Sequence, residues 1–170
     1  SAFSKVLCAT RRGPNGRDEW QRRIEIGVRS QMSHRDFQGR WYVGRPIIVT
    51  ANDYLLRLFN GDTGVVVRDA TGSRVVQFPD SDNPVQLNPA QLGEFDTWWA
   101  MTIHKSQGSE FPHAVVCLPE VGSPILTREL LYTGVSRAKD QVTIVADEAA
   151  IRAAVTTPIR RASGLAQMLG

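Results

Sequence analysis

Three β-branched runs follow one another at roughly ten-residue intervals in the middle of the chain: Pro46-Ile47-Ile48-Val49-Thr50-Ala51, Gly64-Val65-Val66-Val67-Arg68 and Arg74-Val75-Val76-Gln77-Phe78. Branching at Cβ favours extended, pleated backbone. The intervening Asn60-Gly61-Asp62 and Asp69-Ala70-Thr71-Gly72-Ser73 carry the residues that reverse a strand. Pro79, Pro84 and Pro89 punctuate the stretch after the third run. This spacing predicts a small β-barrel over residues 44–97, inserted into a chain whose flanks read differently.

On both sides the pattern is strand then helix. Ser4 to Thr10 predicts a strand, broken by the turn residues Arg11-Arg12-Gly13-Pro14-Asn15-Gly16. From Asp18 to Arg29, Trp20, Ile24 and Val28 recur on one helical face, so Trp20 is expected to pack. Ser30 to Arg45 is polar and basic and reads as a connection. Strands are then expected at Phe95–Thr102, His113–Leu118 and Gln141–Ala146. One helix should start from an N-cap at Thr127 and reach about Ala138; a second, capped by Asp147, should cover Glu148–Val155 and stop at Pro158. Ser163–Leu169 predicts a further turn. Such alternation builds an α/β domain around a parallel sheet. The expected organisation is a discontinuous α/β domain, residues 1–43 and 98–170, interrupted by the barrel.

At 170 residues, with 42% hydrophobic and 22% charged, the chain can bury one substantial core, and its composition excludes disorder and collagen. No apolar run approaches the roughly 18 residues of a membrane span. Cys8 and Cys117 lie in apolar runs with no Cys-x-x-Cys, which predicts buried, reduced thiols and no zinc site. The chain starts at Ser1 without a charged and apolar leader, so it is expected to be processed or part of something longer. The net charge is +3, yet residues 1–45 hold ten Lys and Arg against four acids, while residues 46–170 hold ten against thirteen. A phosphate-bearing partner and a solvated basic face both fit that imbalance.

Two segments crowd polar residues at the ends of apolar strands, where open α/β sheets place their ligands. One is Thr102-Ile103-His104-Lys105-Ser106-Gln107-Gly108-Ser109-Glu110-Phe111; the other is Tyr132-Thr133-Gly134-Val135-Ser136-Arg137-Ala138-Lys139. Gly134 permits close backbone approach, and Arg137 is suited to the charge that develops on a transferred phosphoryl group. Trp98 and Trp99 precede the first segment; adjacent strand positions face opposite ways, which leaves one indole, taken as Trp99, for base stacking or for packing. Trp41 and Tyr42 read as structural, His34 and His113 as unremarkable, with no partner pattern, and Lys139 as a further phosphate contact.

Thr102-x-His104-x-x-Gln107-Gly108-x-Glu110-Phe111 resembles motif V of the superfamily 1 DNA helicases, and Tyr132 to Ala138 resembles motif VI. His104–Phe111, Leu58-Phe59-Asn60-Gly61-Asp62, Leu7-Cys8-Ala9 with Arg11 and Gly13-Pro14, and Trp41-Tyr42-x-Gly44-Arg45-Pro46 are similar to the RecD-like branch, the branch of the exodeoxyribonuclease V alpha subunit. The resemblance runs in order along nearly the whole chain. It implies a second RecA-like motor domain carrying an inserted SH3-like barrel, with ATP and Mg2+ between two RecA-like domains and single-stranded DNA across both. It further implies that Arg137 and Arg11, or Arg12 beside it, reach the nucleotide, with Gly108 and Glu110 near the ribose and phosphates. Thr102, His104, Lys105 and Ser106 would meet the DNA backbone. Gln107 stands where many members carry lysine. The implied protein is an ATP-dependent 5′–3′ helicase subunit that assembles with RecB and RecC, acts in double-strand break repair and recombination, and works in the bacterial cytoplasm at the nucleoid.

No Gly-x-x-x-x-Gly-Lys-Ser/Thr occurs, and of the two Asp-Glu pairs Asp18-Glu19 starts a helix while Asp147-Glu148 supplies the cap and first residue of another. Hence no metal ligands are expected on this chain. The P-loop and metal site are expected on an N-terminal RecA-like domain, and the chain is expected to be inactive alone. The alternatives are a stand-alone RecD-like helicase, and a binding module that grips DNA or a protein without hydrolysis.

Overall fold

The computed structural model describes residues 4–32, 39–78 and 85–159. In chain order the elements are β1 (Ser4–Cys8), α1 (Arg17–Gln31), β2 (Pro46–Val49), β3 (Thr63–Arg68), β4 (Arg74–Phe78), β5 (Val85–Leu87), β6 (Phe95–Thr97), β7 (Ala100–Thr102), β8 (Phe111–Cys117), α2 (Arg128–Val135), β9 (Ala138–Val145) and α3 (Glu148–Thr156). They fall into two compact units, Ser1–Glu19 with Met101–Gly170, and Trp20–Ala100. The expected turn at residues 163–169, His34, Pro79 and Pro84 lie outside the described residues.

The first unit has the expected α/β architecture. Its sheet has the order β7-β1-β8-β9. β1 runs parallel to β8, from Ser4 opposite His113 to Cys8 opposite Cys117, and β8 runs parallel to β9. Leu7, Ala114, Val116 and Leu118 are buried, as the apolar runs require of a covered parallel sheet. Two parallel neighbours need a crossover, and α2 supplies it between β8 and β9. Thr127 starts α2 as expected, its Oγ1 accepting the Leu130 N–H at 3.2 Å. Gly134 lets α2 lie close on the sheet: a Cβ there would sit 3.0 Å from Val116 Cγ1 and 3.3 Å from Ile103 Cδ1. α3 packs against α2 through buried Ala150 and Ala154. Asp147 stands at the N-cap of α3, but its side chain makes no capping bond. β9 starts three residues earlier than the sequence suggests, because Ala138 pairs with Phe111 at the start of β8. That pairing also ends α2 at Val135, short of Ala138.

The second unit contains an antiparallel sheet of order β5-β4-β3-β2-β6. Ile47, Val49, Leu58, Val66, Val76, Phe78 and Leu87 form its core. The β3–β4 hairpin is closed by Asp69, whose Oδ1 accepts from the Thr71 and Ser73 N–H groups. One expectation lacks confirmation and another needs correction. β5 and β6 stand at opposite edges and do not pair among the described residues, so no closed barrel is seen there. The predicted strand Phe95–Thr102 is two strands, β6 pairing with β2 and β7 joining the parallel sheet. The break falls at Trp98-Trp99, where the Trp98 N–H donates to the Pro46 carbonyl at 3.0 Å. The alternation argument for Trp98 and Trp99 therefore loses its strand.

Helix α1 carries Asp18 and Glu19 in its first turn and Arg29 in its last, complementing the helix dipole. Trp20, Ile24 and Val28 are its half-buried stripe, and no residue of the helix is fully buried.

Candidate functional site

A parallel sheet has two chemically distinct edges, and the candidate residues divide between them. At the carboxyl-terminal edge, the Cys8 carbonyl accepts the Ile103 N–H at 2.9 Å. The turn after β1 and the turn after β7 therefore leave the sheet side by side. The first is a tight loop: the Gly16 N–H donates to the Gly13 carbonyl at 3.0 Å, and the Arg17 N–H to the Thr10 carbonyl at 2.9 Å. Only glycine fits at position 16, since a Cβ would lie 2.5 Å from the Arg12 carbonyl carbon and oxygen. This loop leaves Arg11 and Arg12 exposed. Arg11 Nε lies 3.8 Å from Asp18 Oδ2, while Arg17 holds the other carboxylate oxygen at 2.7 Å.

The second turn is the Thr102–Phe111 segment. Thr102 Oγ1 accepts the Lys105 N–H at 3.3 Å, which shapes a single 3-10 turn over His104–Ser106. His104, Lys105, Gln107, Gly108 and Glu110 are exposed, and Gly108 adopts φ +84°, a conformation glycine takes without strain. Ser106 was expected on the DNA. It is fully buried instead, its hydroxyl donating to the Ile103 carbonyl at 2.6 Å, and it shapes the turn.

At the amino-terminal edge, the Phe111 N–H donates to the Arg137 carbonyl at 2.8 Å. The Arg137 side chain folds back over the end of α2: Nε donates to the Thr133 carbonyl at 3.3 Å, Nη2 to Ser136 Oγ at 3.1 Å, and Nη1 crosses to the Ser109 carbonyl at 3.3 Å. A cation there also faces the negative end of the helix dipole. Beside it Lys139 Nζ lies 3.5 Å from Glu110 Oε2, an exposed pair.

Thus Arg137, Glu110 and Lys139 gather at one edge, and Arg11, Thr102, His104 and Lys105 at the other. The seven residues of β8 separate the edges, about 20 Å at the rise of an extended strand. The structure does not bring Arg11 to Arg137. Between the edges, Ile103, His104 and Gln107 face Leu130 and Thr133 of α2 across a groove of about 290 Å³.

Other expectations resolve individually. Trp99 is half-buried, its Nε1 donating to the Tyr42 hydroxyl at 2.8 Å, and that hydroxyl donates to Glu25 Oε1 at 3.0 Å. Trp41 and Tyr42 are structural as read: Trp41 packs on Phe95 at 4.8 Å between ring centroids, and the buried Arg45 guanidinium lies 5.6 Å over Trp41. His113, for which the sequence shows no partner pattern, bridges Ser4 Oγ and Thr143 Oγ1, each at 2.9 Å, across three strands. Ser109 and Thr133 escaped notice because they act through backbone carbonyls, which leave no residue-type signal. Among the described residues no group of three or more His, Cys, Asp and Glu is placed to hold a metal ion, and no helix is long and apolar enough to cross a membrane.

Comparison with known proteins bears on this geometry. The family model for the UvrD-like helicase C-terminal domain matches residues 97–145, from the end of β6 through β9. The chain is 46% identical over 165 residues to the RecBCD enzyme subunit RecD of Mycobacterium tuberculosis, covering 97% of the chain and 28% of that protein. It is 33% identical over 138 residues to the ATP-dependent RecD2 DNA helicase of Deinococcus radiodurans, covering 81% of the chain and 19% of that protein. The crystal structure of Pif1 helicase from Bacteroides in complex with ADP-AlF3 and ssDNA shares the fold, with a TM-score of 0.55 at 16% identity over 85% of the chain and 41% of that structure. The chain thus spans little more than a quarter of the RecD subunit it matches.

Proposed function

Because the chain belongs to the RecD-like helicases, which it matches over nearly its whole length, we propose that it is the C-terminal motor segment of an ATP-dependent 5′–3′ DNA helicase subunit. In this reading the subunit assembles with RecB-like and RecC-like partners as exodeoxyribonuclease V and serves double-strand break repair and recombination. Residues 1–43 and 98–170 are the second RecA-like domain, and residues 44–97 the inserted SH3-like module.

The observation that carries the reading is the course of the Thr102–Phe111 segment. It begins beside Cys8 at one edge of the sheet and ends beside Arg137 at the other. Half-buried Thr102 and exposed His104 and Lys105 are placed for a DNA backbone, while the Ser109 carbonyl holds Arg137. A shift of this one segment alters both places, as coupling of nucleotide to strand movement requires.

The residues present suit a nucleotide phosphate. Among the described residues the three side-chain hydrogen bonds of Arg137 go to neutral oxygens, so its charge is not spent on a carboxylate there. ATP with Mg2+ would supply the phosphoryl group whose transfer to water drives movement. Arg137 then offsets the charge developing on the transferred group, and Glu110 and Gly108 border the nucleotide. P-loop and metal ligands come from the N-terminal RecA-like domain, so the chain alone is inactive.

The test is ATP turnover by the full protein at saturating single-stranded DNA. Arg137→Ala should lower kcat at least about 1000-fold while DNA affinity stays within a factor of about two. Unchanged turnover would overturn the reading in favour of a DNA- or protein-binding module. The similarity to the Deinococcus RecD2 helicase favours a second reading, a stand-alone helicase. Purification of the full protein with or without RecB-like and RecC-like subunits separates the two.

A further inference from the structure

The hydrogen bonds around Arg137 define which of its donors remain available. A guanidinium offers five N–H groups: one on Nε, two on Nη1 and two on Nη2. Three are engaged, one from each nitrogen: Nε with the Thr133 carbonyl, Nη1 with the Ser109 carbonyl and Nη2 with Ser136 Oγ. Among the described residues two donors are left, one on each terminal nitrogen, enough to take two oxygens of a phosphate.

Two of the three restraints are backbone carbonyls that come with the fold. The third is a side chain, and its hydroxyl is oriented. Ser136 Oγ donates its proton to the Thr133 carbonyl at 3.1 Å, which leaves its lone pairs for Arg137 Nη2. Ser136 is the C-cap of α2, and its N–H donates to the Tyr132 carbonyl at 2.9 Å, so the residue that holds the guanidinium is itself fixed at two points.

We propose that Ser136 is a positioning residue for Arg137: its hydroxyl fixes the rotation of the guanidinium so that the two unused N–H groups present a fork to the nucleotide phosphate. The inference rests on the nucleotide role of Arg137 given above. Without the hydroxyl the guanidinium keeps its two carbonyl contacts but can pivot about them. Small misplacements of a catalytic group lower the rate steeply, without weakening binding remote from the reacting atoms.

The experiment compares Ser136→Ala, Ser136→Thr and Arg137→Ala in the full protein, measuring kcat and KM for ATP at saturating single-stranded DNA, with DNA affinity and thermal midpoint alongside. Ser136→Ala should lower kcat by about tenfold, with KM, DNA affinity and thermal midpoint near those of the parent. Ser136→Thr, which keeps a hydroxyl, should recover most of the rate. The inference is overturned if Ser136→Ala keeps the parental kcat while Arg137→Ala abolishes turnover. It is equally overturned if Ala and Thr are impaired alike, or if the loss in Ser136→Ala tracks a lowered thermal midpoint. Should Arg137→Ala itself turn over ATP normally, the functional reading fails first, and that outcome is distinct from the others.

Discussion

Cys8 and Cys117 are direct partners across the β1–β8 pair, both fully buried and both reduced. The hydrogen bond to Cys117, with burial added, raises the Cys8 thiol far above its ordinary range. The reactive form of cysteine is the thiolate, and here it is suppressed. Neither thiol should react with a disulfide reagent while the chain is folded, and both should react after denaturation. A thiol titration with and without denaturant checks this; reaction of the folded chain would mean that β1 and β8 separate readily.

Lys5, also in β1, is fully buried, and burial lowers its ammonium from 10.5 to about 6. Phe111 lies nearby, its ring centroid 6.0 Å from the Lys5 nitrogen. Between about pH 6 and 10.5 the unfolded chain holds this proton and the folded chain does not. Stability from this group therefore rises with pH through that window, by up to about 1.4 kcal/mol per unit, and levels off above it. Below the window both states are protonated and the cost of burying the charge is fully present. Lys5→Met should remove the slope and raise stability at neutral pH. Denaturant unfolding at several pH values measures both effects, and an unchanged slope in the variant would assign the pH dependence to another group.

Two glycines should respond to alanine with opposite signs. At Gly64 in β3 a Cβ would meet the Gln77 carbonyl and the Phe78 ring at 2.9 Å. The backbone there belongs to the β3–β4 ladder and has little room to yield, so Gly64→Ala should cost about 1–3 kcal/mol. Gly27 lies exposed inside α1 with nothing within 4 Å of a Cβ. Gly27→Ala should stabilise by up to about 1 kcal/mol through helix propensity. Denaturation midpoints decide; a neutral Gly64→Ala would show that the sheet adapts.

β1, β8 and the second half of β9 were legible because each is a compact, mostly apolar run, and Thr127 marks a helix start. The antiparallel strands β2, β3 and β4 were legible from Cβ branching and from Asp69-Ala70-Thr71-Gly72-Ser73. What escaped were facts of pairing. The stretch from Phe95 to Thr102, mostly apolar and without glycine or proline, carries no sign that β6 serves one sheet and β7 another. β5 has only three residues, too short for a periodicity to show. In the site, residue types exposed Arg137, His104 and Glu110, because charge at a strand end is unusual. They could not show which edge each reaches, since both edges of a parallel sheet are sequence breaks of similar composition. Ser106 illustrates the converse, a polar residue whose hydroxyl serves its own turn.

The division of edges makes Arg11 the decisive residue. It follows the carboxyl-terminal end of β1, beside the turn that carries Thr102, His104 and Lys105, whereas Arg137 lies a strand's length away, about 20 Å. Two arginines so placed do not share one phosphate group in this arrangement. Arg11 is exposed, and its 3.8 Å approach to Asp18 is long enough to yield to a phosphate, because Arg17 already engages that carboxylate at 2.7 Å. Arg11→Ala in the full protein should therefore weaken single-stranded DNA binding and reduce the slope of log affinity against log salt by about 0.7, the amount for one phosphate contact on a single strand. ATP turnover at saturating DNA should stay near the parental rate. Salt-dependent DNA titrations beside turnover assays separate the possibilities. A collapse of kcat with an unchanged salt slope would place Arg11 at the nucleotide instead, and would require the turn after β1 to reach a phosphate far from the one that Arg137 faces.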